Sequence, residues 1–102
     1  MEILYVLYKS GLPIEEIFKR FKERAEKYRN VKGLVQKLYI HDESTGHVGG
    51  IYVFDTKESL EAFKASDLAK NLGDAYQFVE PPQRRIFNLV LVLHEKKGIQ
   101  LV

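Results

Sequence analysis

A chain of 102 residues, 45% hydrophobic and 29% charged, has the length and composition of one folded domain around a single core. Sixteen basic residues against fourteen acidic ones leave a formal net charge of +2, too balanced to mark a nucleic-acid or membrane-surface partner. The absence of cysteine excludes disulfides, thiol nucleophiles, thiolate metal sites and iron–sulfur clusters.

The amino terminus has an acidic second residue and only six apolar residues, Ile3 to Tyr8, before Lys9. It lacks a basic n-region and a small-residue cleavage site, so no signal peptide is expected. No apolar run approaches the roughly 20 residues that span a bilayer. The expected location is the cytoplasm.

Ile3 to Tyr8 is a β-branched, aromatic and leucine run closed by Ser10-Gly11, hence a strand. Pro13 suits a first helical turn, and Glu15 and Glu16 follow near the positive helix end. Ile14, Ile17, Phe18, Phe21, Ala25 and Tyr28 recur at three- and four-residue steps, which predicts a helix to about Arg29. Leu34 to His41 and Val48 to Phe54 read as a hairpin around the turn residues Asp42 to Gly46. Asp55 or Thr56 caps a second helix, with Asp55 and Glu58 spaced as a capping box and Leu60, Phe63 and Leu68 on the inner stripe. Ser66-Asp67 restarts this helix and Gly73 ends it. After Pro81-Pro82, Arg84 to Leu93 reads as one long strand, and the tail Lys96 to Val102 as a short edge strand. The order βαββαβ, in one domain spanning 1–102, is that of an α+β, ferredoxin-like split motif with an antiparallel sheet.

The strands do not alternate apolar and polar residues as a half-buried antiparallel sheet should. Ile3, Tyr5 and Leu7 share one face of the first strand, and Leu4, Val6 and Tyr8 the other. Two helices cover one face of four strands, so the second apolar face needs another cover. A longer C-terminal segment would serve, but the residues after Gly98 are too few. A second copy related by a two-fold axis is the simplest answer, so a homodimer or an assembly of dimers is expected.

If the hairpin closes between Asp42 and His47, Tyr39 opposes Gly50 and Lys37 opposes Tyr52. Tyr39, His41, Gly50, Tyr52 and Phe54 then share a face, with Leu38, Ile40, Gly49, Ile51 and Val53 on the other. Tyr39 and Tyr52 either line a ligand pocket opened by Gly50 or cover a strand glycine for structural reasons. His41, His47, Asp42 and Glu43 are metal-ligand types around an exposed turn, and a solvated turn is the plainer reading, so no metal is expected. Asn88 interrupts an apolar run, where it orients a ligand or pairs across a dimer. Arg84 and Arg85 suit a carboxylate or phosphate, or surface ion pairs. His94 reads as a strand boundary beside Glu95 and Lys96.

The stretch Gly33 to Phe54, with Lys37, Glu43 and Gly49-Gly50-Ile51-Tyr52-Val53-Phe54, resembles the YdhR-type monooxygenase family, whose strand–turn–strand is followed by a helix carrying a serine, here Ser59, and an aromatic, here Phe63. The resemblance implies a dimeric α+β barrel, two ferredoxin-like sheets packed face to face. Its superfamily includes cofactor-independent quinol oxygenases, haem-degrading enzymes and isomerases.

Three functions follow as expectations. The first is a cofactor-independent monooxygenase-like enzyme on a small aromatic or quinol substrate, with Tyr39, His41, Tyr52 and Asn88 as orienting or proton-handling groups and Gly50 and Phe54 beside the ligand. The second is a non-catalytic small-molecule-binding or stress-related barrel. The third is haem degradation, which needs a histidine on a cavity wall, with only His41 or His94 remotely placed for it.

Overall fold

The structure is a computed structural model that describes residues 1–94 and 98–101. Four antiparallel strands, β1 (Glu2–Tyr8), β2 (Leu34–His41), β3 (Val48–Phe54) and β4 (Gln83–Asn88), form a sheet of order β2-β3-β1-β4. Helix α1 (Ile14–Ala25) crosses from β1 to β2, and α2 (Lys57–Lys64), α3 (Asp67–Lys70) and α4 (Leu72–Ala75) lie between β3 and β4. This is the ferredoxin-like α+β fold.

Local chemistry accounts for each boundary. The Pro13 carbonyl accepts the Glu16 and Ile17 amides at 3.1 Å, opening α1 with acidic Glu15 and Glu16 in its first turn. The α1 periodicity carries on as predicted, but its last turn, Glu26–Tyr28, tightens to a 3-10 helix that brings Tyr28 into the core. Gly33 has φ +80° and sits where a Cβ would strike Ser59 and Asp55, so no other residue fits that corner. Thr56, not Asp55, caps α2: its hydroxyl accepts the Ser59 amide at 3.1 Å. Ser66 restarts the helix by accepting the Ala69 amide at 3.3 Å. Gly73 does not end the helical region, because it lies inside α4.

The expected strand Arg84–Leu93 is two strands. The last pair of β1 with β4 is Glu2 with Asn88, so beyond Asn88 there is no neighbouring strand left to bond. The Leu89 amide donates to the Met1 carbonyl at 3.0 Å, and the chain leaves the sheet. It resumes as β5 (Leu91–His94), which pairs with β6 (Gly98–Leu101) in a separate two-stranded hairpin. The predicted tail strand therefore exists but pairs with β5. Its Lys96, Lys97 and Val102, and Glu95 beside His94, lie outside the described residues.

The core lies between the helices and one face of the sheet. Leu4, Val6 and Tyr8 of β1 and Val48, Tyr52 and Phe54 of β3 pack there against Ile17, Phe21, Leu60, Phe63 and Leu72. The other face carries Ile3, Tyr5, Leu7, Leu38, Ile51 and Phe87, and no element among the described residues covers it. Leu38 is 44% exposed and Phe87 43%.

Candidate functional site

The hairpin register puts Tyr39 opposite Gly50, Lys37 opposite Tyr52 and His41 opposite Val48, as the sequence predicts. These residues face the helices. The Asp42 amide closes the turn on the His47 carbonyl at 2.8 Å. Because side chains alternate along a strand, Lys37 must also point into the helix side of the sheet. Its long stem carries the amine into a cluster of aromatic rings.

Lys37 Nζ lies 3.4 Å from the ring centroid of Tyr28, 4.3 Å from Tyr39 and 4.7 Å from Tyr52. Burial, and then the charge of Arg24, push the Lys37 amine down to about 7. The three ring faces act in the opposite sense, since they attract an ammonium. Arg24 lies 5.7 Å from the Tyr76 centroid. The Nε and Nη2 of Arg24 and the hydroxyl of Tyr28 are buried together, Tyr28 having Tyr52 and Arg24, and Tyr76 having Arg24, as hydrogen-bonding neighbours. Burial pushes the Tyr8, Tyr28 and Tyr52 phenols up and raises Tyr39 and Tyr76 to about 12. All five are neutral hydroxyls at pH 7.

Tyr52 also forms a wall of a partly enclosed cavity of about 170 Å³. Leu4 and Val6 of β1, Phe63 of α2, Ala69 of α3 and Leu72 of α4 complete its apolar lining, and Lys64, Lys70 and Arg84 supply three cations. Among the described residues no carboxylate or histidine lines it. Lys64 is paired with Glu61 at 3.4 Å, whereas Lys70 and Arg84 have no ion-pair partner among the described residues.

Of the other predicted site residues, Tyr39 and His41 line one open apolar pocket of about 450 Å³ with Phe18 and Phe21 of α1, and the rest are dispersed. The space above Gly50 is filled by Lys37 Cε and Tyr52 Cε1, each 3.3 Å from where a Cβ would stand. Around Gly50, Tyr39 and Tyr52 the packing leaves no room for water. His41 sits outside this cluster with its ring edge-on to Phe18 at 5.6 Å. Phe54 is fully buried against Phe63 and Tyr52. Asn88 is exposed at the end of an edge strand, not a buried amide, because the sheet stops there. The polar turn residues diverge: Asp42 accepts from Ser44, and His47 pairs with Glu80 at 3.2 Å.

Pattern reading passes over Arg24, Tyr28 and Tyr76 as helix or loop residues, and uses Lys37 only to set the register. The signal for Lys37 is its parity with Tyr39 and His41. Arg84 reads as an anion binder in the sequence, without the cavity to which it belongs.

The model of the family described as "Putative mono-oxygenase ydhR" matches residues 3–86. No curated protein matches the chain. Among solved structures, a variant of SnoaB, a cofactor-independent oxygenase from Streptomyces nogalater, is 14% identical with a TM-score of 0.71, over 92% of this chain and 98% of that one. The monooxygenase from the gene ActVA-Orf6 of Streptomyces coelicolor, solved with nanaomycin D, is 15% identical with a TM-score of 0.67, over 86% of each chain. An antibiotic biosynthesis monooxygenase from Caulobacter crescentus, so described as putative, is 17% identical with a TM-score of 0.71, over 87% and 89%. At these identities the likeness shows a shared fold. With the family match spanning most of its length, the chain belongs to the ydhR mono-oxygenase family.

Proposed function

We propose that this protein is a cofactor-independent monooxygenase-like enzyme that oxidises a small phenol or quinol in the cavity beside Tyr52, and that it works as a homodimer. The supporting observation is the cavity itself. An apolar cavity of roughly 150 Å³ holds one benzene ring, and this one measures about 170 Å³. Its cations favour the phenolate over the phenol, because opposite charge within a few ångströms lowers an acid's pKa. A phenolate gives up electrons to O₂ far more readily than a phenol does. One oxygen atom enters the product and the other leaves as water, with the electrons drawn from the substrate. Tyr52 is held protonated by burial and forms one wall of the cavity. Lys70 and Arg84 hold the phenolate. Haem does not fit this cavity, since about 170 Å³ is too small for a macrocycle and neither His41 nor His94 lines it.

An oxygen electrode with a panel of single-ring quinols tests the reaction. Uptake should be saturable, and Arg84→Gln should lower kcat/KM about tenfold or more, the effect of losing one charge-assisted bond. A second reading, ligand binding without chemistry, is favoured by the lack of a carboxylate or imidazole base among the described lining residues. It wins if aromatic ligands raise the melting temperature while no quinol consumes oxygen.

The uncovered sheet face supports the homodimer, as does the β5–β6 hairpin, where Leu93 is 70% exposed. Sedimentation at micromolar concentration should give twice the chain mass. Ile51→Lys, placed on the uncovered face opposite Tyr5 and Leu38, should shift it to the monomer. A monomeric parent protein would refute the assembly.

A further inference from the structure

The cavity beside Tyr52 carries more positive charge than a phenolate uses. Its three cations come from three elements: Lys64 from the last turn of α2, Lys70 from the last turn of α3 and Arg84 from β4. Arg84 opposes Val6 in the β1–β4 ladder, so its side chain leaves the sheet on the face that walls the cavity. Glu61 offsets Lys64 at 3.4 Å. Lys70 and Arg84 have no ion-pair partner among the described residues, and no carboxylate among those residues lines the cavity. A phenolate brings one negative charge and leaves one of these two cations without a counter-charge. Leu4, Val6, Phe63 and Leu72 supply apolar wall around a space of about 170 Å³, the size of one benzene ring. Apolar walls with a few charged groups among them select a ligand with an apolar body and a charged end.

We propose that the ligand of this cavity is a single-ring aromatic acid, its ring against the apolar wall and its carboxylate held by Arg84 and Lys70. The inference rests on the reading of this cavity as the substrate site, and it narrows the substrate to a phenol or quinol that also bears a carboxylate. A hydroxybenzoate matches the two free cations charge for charge, its carboxylate and phenolate shared between Arg84 and Lys70. The planar fork of Arg84 suits the carboxylate, which accepts two parallel N–H bonds where a phenolate oxygen offers one atom.

Isothermal titration of the full chain at neutral pH with sodium benzoate, benzamide and sodium acetate separates ring from charge and needs no turnover. Benzoate should bind about tenfold or more tighter than benzamide, which has the same ring and shape without the charge. Acetate, which has the charge without the ring, should bind more weakly than benzoate. Arg84→Gln and Lys70→Gln should each weaken benzoate about tenfold and leave benzamide unchanged. Both residues are exposed, so the fold does not depend on them. Ala69→Phe, which sets a ring in the cavity, should abolish benzoate binding. Benzamide or acetate binding as tightly as benzoate would overturn the proposal, as would unchanged benzoate affinity in Arg84→Gln, Lys70→Gln or Ala69→Phe. Benzoate binding as expected in a protein that oxidises no quinol would refute the oxygenase reading and support the ligand class. Quinol oxidation without benzoate binding would keep the reaction and overturn the aromatic acid.

Discussion

A Gly49→Ala chain should melt roughly 12–24 °C below the parent. Gly49 lies in β3, paired with Leu7 of β1 on one side and Ile40 of β2 on the other, at the centre of the sheet. A Cβ there would run into the Val6 carbonyl and come within 3.0 Å of the Leu7 Cα. These obstacles are backbone atoms of a paired strand, so no rotamer change relieves them. Overpacking usually costs about 1–3 kcal/mol, and with rigid backbone opposite the cost should sit near the top, about 3 kcal/mol. For a domain of this size each kcal/mol moves the melting temperature by roughly 4–8 °C. Gly46→Ala is the control. Gly46 has φ +80° but nothing within 4 Å of its would-be Cβ, so only the left-handed backbone is penalised, at roughly 1–2 kcal/mol. Circular dichroism melts of the two variants should differ clearly. Equal melting temperatures would mean that β1 and β3 can separate at no cost.

The second large effect is a gain of stability as pH rises above neutrality. The Lys37 amine has an ordinary value of 10.5 and is held at about 7 in the folded chain. Between these values the unfolded chain binds a proton that the folded chain has released, so unfolding becomes harder as pH rises. Below about pH 7 both states are protonated, and the penalty of a buried ammonium is fully present. The limiting slope is about 1.4 kcal/mol per pH unit. Contacts of the ammonium with aromatic faces return up to about 2 kcal/mol and soften it, leaving an expected gain of about 1–2 kcal/mol from pH 7 to pH 9. Above pH 10 the sense reverses. Unfolded tyrosines ionise near 10.0 while Tyr8, Tyr39, Tyr52 and Tyr76 are held higher by burial, so the unfolded chain loses protons first. Urea unfolding at fixed protein concentration should therefore show a maximum between about pH 9 and 10. Lys37→Met should flatten the rise. A parent protein more stable at pH 6 than at pH 9 would contradict the buried position of Lys37.

The helix side of the sheet shows how far pattern reading reaches. Parity along β2 and β3 follows from an apolar count and one well-marked turn, so the facing of Tyr39, Gly50 and Tyr52 was readable. Tyr28 was readable as a helical core residue, but not as the ring closest to Lys37. That contact needs the last turn of α1 to tighten and the β2 edge to lie beneath it. Similarly, Arg84 and Lys70 are fourteen residues apart on different elements, and only the closure of α3 over the β1–β4 edge puts both on one cavity. Asn88 misled because an amide within an apolar run looks buried. Whether a strand is central or peripheral depends on where its neighbour ends.

By itself the sequence determined the βαββαβ order of the main sheet, the hairpin turn and its register, and the presence of two apolar sheet faces. These are short-range consequences of side-chain period, hydroxyl caps and glycine backbone freedom, and they act within a few residues of chain. Only the tertiary structure decided which face the helices cover, where β4 ends and β5 begins, and which polar groups meet. Those outcomes depend on contacts between residues far apart in sequence. The second apolar face thus changes from an excess of hydrophobic residues into the specific surface of Ile3, Tyr5, Leu7, Leu38, Ile51 and Phe87, opposite the helix layer that holds both the cavity and the Lys37 cluster.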